Sequence, residues 1–200
     1  MDIFSFLLFD IVGRISPGPN NIMVLSSGVN FGFKRTIPHI IGIAIGYGFL
    51  LLLLSFGFEK IFDQYPLLYD SLKYIGGTYL LYLAYRISKS PTISVSVEKR
   101  EESGNGPFSF FQAAIFQLVN PKAWMTGVMV FSIFIDKNEP FFFQASIIIV
   151  ISIITALLGS SLWTFFGMQM RLFLSNSKKG KAFNQVMATL VVASFFISLF

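Results

Sequence analysis

Ser16-Pro17-Gly18-Pro19-Asn20-Asn21 cuts through an apolar segment that would otherwise run on as helix. The hydrophobic run from Ile3 to Val12 lies on one side, and Ile22-Met23-Val24-Leu25 lies on the other. A proline inside a helix removes one hydrogen bond and sets its ring against the preceding turn, at about 3 kcal/mol or more. In water the result is a loop between two short helices. In a bilayer the freed amides and carbonyls cannot face lipid, and must meet protein, water or a ligand. How this stretch is read therefore depends on the solvent around it.

Composition decides the solvent. Of the 200 residues, 54% are hydrophobic and only 12% are charged, about half the charged share of a soluble domain. Phenylalanine alone contributes 25 residues, more apolar surface than one soluble core of this length can hide. The net charge of +5 is modest, and no nucleic-acid partner is expected. The absence of cysteine excludes disulfides and thiolate metal sites. No His, Asp and Glu residues stand at metal-ligand spacing, and no nucleophile sits in a triad or elbow setting. Neither a metal, a cofactor nor an enzyme is expected. The chain opens with Asp2 and no basic region before its first apolar run, which points to a retained span rather than a cleaved signal peptide.

A membrane span takes about 20 mostly apolar residues. Six stretches qualify: Ile3 to Ser27, Ile37 to Phe58, the short Leu72 to Ser88, Phe108 to Ile135, Phe141 to Met170 and Phe183 to Phe200. The odd-numbered connections hold Lys34 and Arg35, then Arg86, Lys89, Lys99 and Arg100, then Arg171, Lys178, Lys179 and Lys181. The even ones, with the adjoining helix ends, hold Lys60, Lys73 and Lys137. Basic residues stay cytoplasmic. The odd connections are therefore expected inside, with both termini extracytoplasmic. Residues 89–107, rich in serine and charge and closing on Gly104-Asn105-Gly106-Pro107, read as a flexible cytoplasmic linker, with a regulatory role as the alternative.

The two sides of that linker repeat. Pro17 lies about as far into the first span as Pro121, in Asn120-Pro121-Lys122, lies into the fourth. With three spans each, residues 1–88 and 108–200 enter the membrane from opposite faces. The expected fold is an all-α integral membrane protein of six transmembrane helices, built as two inverted-topology three-helix repeats. Helices 1 and 4 are interrupted by proline motifs. The whole chain, 1–200, forms one transporter domain. Matched interruptions of this kind point to a transporter's midplane site.

Each break should create a half-helix whose first amides lack intrahelical partners and attract an anion. Asn20, Asn21 and Asn120 can cap the new starts or bind a ligand. Pro17, Gly18, Pro19 and Pro121 complete the candidate binding set. A kink that merely helps helices pack is the alternative. Asp10 and Arg14, four residues apart, share a helix face inside the first span. They form either a structural ion pair or, through Asp10, a partner for a substrate ammonium or a proton. Lys122 follows the second break and either meets a carboxylate or snorkels to an interface. His39, the lone histidine, opens the second span near the expected cytoplasmic surface and is either structural or proton-coupling. Gly42, Gly46 and Gly48 place small residues for close helix approach, as do Gly76, Gly77, Ala156, Gly159 and Ser160.

These residues resemble the lysine exporter (LysE/RhtB) family of amino-acid exporters, over essentially the whole chain. The resemblance rests on Pro17-Gly18-Pro19-Asn20-Asn21, on Gly28 and Gly32, on Gly42-Ile43-Ala44-Ile45-Gly46 and on Asn120-Pro121-Lys122-Ala123. The stretch from Gly76 to Tyr85 is similar to the family's third helix. The family often carries aspartate where Asn20 stands. The asparagine resembles a branch that includes a cysteine and O-acetylserine exporter. It removes a charge from the first break and leaves Asp10 as the alternative buried acid. The resemblance implies a secondary transporter exporting a small, neutral amino acid or derivative across the bacterial inner membrane, by proton antiport. Its partners would be that amino acid, protons and the lipid bilayer, with a homodimer open. A passive channel, a structural membrane subunit and an intramembrane enzyme are the alternatives.

Overall fold

The computed structural model describes residues 1–57, 66–90, 106–171, 174 and 177–197. Most of the expected linker lies outside these, as do Lys60 and the last residues of the sixth span. Among the described residues the chain is helical, without a strand: α1 (Ile3–Ile15), α2 (Pro19–Phe31), α3 (Phe33–Ser55), α4 (Pro66–Ser88), α5 (Phe110–Val119), α6 (Pro121–Phe134), α7 (Phe141–Met170) and α8 (Ser177–Ile197).

The proline motifs divide two of the expected spans, the first into α1 and α2 and the fourth into α5 and α6. Other boundaries differ from the sequence expectation. The first span runs past Ser27 to Phe31, and α3 begins at Phe33 rather than Ile37. The joint between them is Gly32 alone, at φ 80°, a left-handed value that a side chain disfavours. One glycine thus replaces the expected loop, and Lys34 and Arg35 sit in the first turn of α3. The helix over the third expected span is longer than that stretch: α4 starts at Pro66 and has 23 residues. The sixth starts at Ser177, ahead of Phe183.

Burial is reversed from that of a water-soluble helix. On α7 the buried face carries Gln144, Ser152, Thr155, Ser160 and Thr164, while Phe142, Phe143, Val150, Ile154, Leu158 and Phe166 are exposed. A polar inner stripe and an apolar outer one fit a helix whose surroundings are hydrocarbon. Both α3 and α7 are long and apolar enough to cross a membrane.

Two apolar clusters flank the centre. One joins α2, α4 and α8 through Met23, Leu83, Ile87 and Val191; the other joins α1, α3 and α6 through Phe6, Leu50, Leu51 and Trp124. Backbones touch where side chains are missing. A Cβ at Gly28 of α2 would strike the Thr164 carbonyl of α7, and one at Gly167 would strike the Leu25 carbonyl. Gly42 and Gly46 of α3 meet the backbone of α5 in the same way, at Phe110 and Ala114.

The chain has two polar ends. Gly32 lies beside the Arg171 guanidinium, Arg86 donates to the Gly106 carbonyl at 2.9 Å, and Asn184 donates to the Ser90 carbonyl at 3.0 Å. At the other end the Met1 nitrogen lies 3.9 Å from Asp136, whose carbonyl accepts from Gln144 at 2.9 Å.

Candidate functional site

The first break spans Ser16 to Gly18. Pro19 takes the first position of α2, where its missing N–H removes no helix bond. No side chain caps the opening amides of α2. The second break is Asn120 alone. Its side chain accepts from the Lys122 amide at 3.2 Å, and Pro121 takes the first position of α6.

The carbonyls orphaned at the ends of α1 and α5 are answered from within the protein. Asn21 donates to the Arg14 carbonyl at 2.7 Å and to the Ser16 carbonyl at 2.8 Å. The Trp163 indole adds a donor to the Arg14 carbonyl at 3.3 Å, and Trp124 does the same for Leu118 of α5 at 2.7 Å. Asn20 and Gln117 exchange amide hydrogen bonds at 2.8 and 3.1 Å, tying the start of α2 to the end of α5. The three asparagines therefore spend amide groups on stitching the breaks together.

The two breaks meet. Lys122 Nζ lies 3.3 Å from both the Ser16 hydroxyl and the Pro17 carbonyl. A Cβ on Gly18 would stand 2.8 Å from that nitrogen, so the bare glycine leaves the amine its place. Around the junction lies a cavity of about 230 Å³, below the roughly 300–1,000 Å³ of sites for drug-sized ligands. Gly18, Pro19, Asn20, Asn21, Asn120 and Lys122 all line it. Asp10, Val12, Gly13 and Arg14 of α1 form a second wall, and Ala123 and Thr126 of α6 extend a third. Beyond its first three residues α2 contributes nothing.

Asp10 is buried. One oxygen accepts from Arg14 at 2.9 Å, and the other accepts from the Thr155 hydroxyl of α7. The Arg14 guanidinium lies over the Tyr47 ring, 4.2 Å from its centroid. Lys122 is half-buried, and among the described residues no carboxylate lies within ion-pair distance of it. The cavity thus holds two cations and one anion, and that anion is already paired. Its surplus charge is positive, beside a helix start whose amides also favour an anion.

His39 is not at a surface. It is fully buried, with its ring edge-on to Phe108 at 5.2 Å, and it does not line the cavity. Pro17 and Pro121 shape the breaks without lining the space. Gln117, Tyr47 and Thr155 belong to the constellation and escaped the sequence reading. Only Gln117 left a trace, as an amide three residues before Asn120 in an otherwise apolar run.

The family described as LysE type translocator matches residues 11–199. The chain belongs to that family. Among relatives of this LysE-type translocator is a cysteine/O-acetylserine efflux protein of Klebsiella pneumoniae subsp. pneumoniae. It is 31% identical over 198 residues, covering 95% of this chain and 93% of the relative. The cysteine/O-acetylserine efflux protein of Escherichia coli K12 is 29% identical over 195 residues, covering 94% and 92%. No solved structure matches. A LysE-type translocator moves its solute rather than transforming it, so the family makes this helical chain a transporter and not an enzyme.

Proposed function

We propose that this LysE-type translocator exports a small, neutral amino acid or derivative, cysteine/O-acetylserine-like or homoserine/threonine-like, across the bacterial inner membrane in exchange for protons. The relatives' names support the cysteine/O-acetylserine-like part of that class. The observation that carries the site is Lys122, a cation without a carboxylate partner at the junction of two helix breaks. It takes the substrate carboxylate together with the uncapped amides of α2. Arg14 and Lys122 disfavour a cationic side chain in so small a space. Asp10 serves the substrate ammonium or a proton but not both, which makes the exchange an antiport.

The architecture of this reading is two inverted repeats, residues 1–88 and 108–200, joined by the cytoplasmic linker 89–107, with both termini extracytoplasmic. The pairing of breaks at α1/α2 and α5/α6 supports it, as does the gathering of Arg86, Arg171 and Gly32 at the end away from Met1 and Asp136. Backbone contact seals α2 to α7 and α5 to α3 on the basic side of the breaks, while the cavity extends along α1 and α6. That asymmetry supports a state closed to the cytoplasm, and alternating access exchanges the two seals.

The test is efflux from vesicles preloaded with single amino acids. Lys122→Gln should cut export of neutral amino acids by roughly tenfold or more, the loss of a charge-assisted hydrogen bond to substrate. A Lys122→Gln protein that reaches the membrane and exports at the original rate overturns the assignment.

A further inference from the structure

Tyr47 is the least explained group at the cavity. It is 2% exposed and lines the space, yet its hydroxyl has no hydrogen-bond partner. Its polar neighbour, Arg14, lies over the ring and close enough to act on the hydroxyl, but makes no well-formed hydrogen bond to it and leaves its own Nε without a partner as well. A buried tyrosine hydroxyl normally finds an acceptor or a donor, because leaving it unmet forfeits its hydration.

The helix segment that carries it is closely held. Gly46 and Gly48 flank it on α3. A Cβ at Gly46 would stand 2.6 Å from the Ala114 Cα of α5, and one at Gly48 would stand 2.6 Å from the Ile153 side chain of α7. These close approaches hold the segment between two helices, and the Arg14 guanidinium covers the ring. Tyr47 thus keeps a buried hydroxyl without a well-formed hydrogen bond on the α3 side of the cavity. Lys122 supplies its charge from α6.

We propose that Tyr47 is a specificity-determining residue whose hydroxyl reads a heteroatom on the substrate side chain. The substrate class narrows to small neutral amino acids carrying a hydroxyl, thiol or ester oxygen one or two bonds beyond the β-carbon or directly on it. This rests on the proposed export function and on Lys122 as the carboxylate anchor. The carboxylate fixed at the breaks turns the side chain toward α3. A site built to hydrogen-bond a substrate group rejects the analogue lacking it, because its own polar group is then stranded.

The experiment compares matched pairs, serine with alanine, which lacks the hydroxyl, and cysteine with its near-isostere 2-aminobutyrate, in counter-flow into proteoliposomes and in thermal stabilisation of the purified protein. The original protein should favour serine over alanine and cysteine over 2-aminobutyrate. Tyr47→Phe removes one oxygen with no change of shape, and should collapse each preference by roughly tenfold, the value of one hydrogen bond to substrate. Thermal stabilisation, read without transport, should lose the same preference. Equal preference in Tyr47→Phe and the original protein overturns the proposal: the hydroxyl then does not reach the substrate, while the Lys122 site stands. If the original protein neither moves nor is stabilised by any of the four, the export reading fails first and this inference falls with it.

Discussion

α1 and α2 are two halves of one interrupted helix, with 13 residues each, and they are held by different forces. α2 is buried without a gap from Ile22 to Phe31, and its Gly28 lies against the α7 backbone. α1 buries only Phe6 and Asp10, and Gly13 has nothing near it. Two polar links fasten α1 to α7, Asp10 to Thr155 and the Arg14 carbonyl to Trp163, beside one close approach of Arg14 to Gly159. The difference teaches how a break can work in a transporter. Close backbone packing is a seal that opens or shuts as a unit. A few hydrogen bonds form a hinge that can be remade.

The largest expected effect strikes the polar fastening. Asp10→Ala leaves Arg14 without its carboxylate, and should cost about 3–5 kcal/mol in thermal unfolding of the detergent-purified protein. A loss no greater than that of a typical surface change would mean that α1 is held by something else. Next comes the seal. Gly28→Ala drives a methyl into the Thr164 carbonyl, and overpacking of that kind costs about 1–3 kcal/mol. Trp163→Phe keeps the aromatic bulk but removes the donor to Arg14, for about 0.5–1.5 kcal/mol in the same assay. Smallest is Gly13→Ala, which meets open space and should stabilise by about 0.5–1 kcal/mol through helix propensity alone. Equal losses at Gly13 and Gly28 would erase the comparison.

The breaks were legible because proline and glycine act locally, whatever surrounds them. The Asp10–Arg14 pair was legible because a spacing of four fixes a helix face. The joint at Gly32 was not, since a one-residue turn needs α2 and α3 already docked to demand a positive φ. Asn20 read as a helix cap or a ligand group in the sequence, and its pairing with Gln117, 97 residues away, depends on the two breaks meeting. Thr155 and Tyr47 carried no signal, because hydroxyls and aromatics are common throughout this chain. His39 looked superficial from its place after Pro38, but Phe108 comes from beyond the linker to cover it. Local chemistry was readable, and long-range partners were not.

The absence of cysteine makes the central claim directly testable, since any introduced thiol reports alone. The pair to compare is Thr126→Cys, on the cavity wall of α6, and Ser27→Cys, within the sealed part of α2. Both are treated with a membrane-impermeant thiol reagent from the extracytoplasmic face. The account predicts that Thr126→Cys is labelled, that serine or cysteine-like substrate slows its labelling, and that Ser27→Cys stays unlabelled. Labelling of Ser27→Cys ahead of Thr126→Cys, or labelling of Thr126→Cys at a rate indifferent to substrate, would contradict a substrate cavity at the joined breaks.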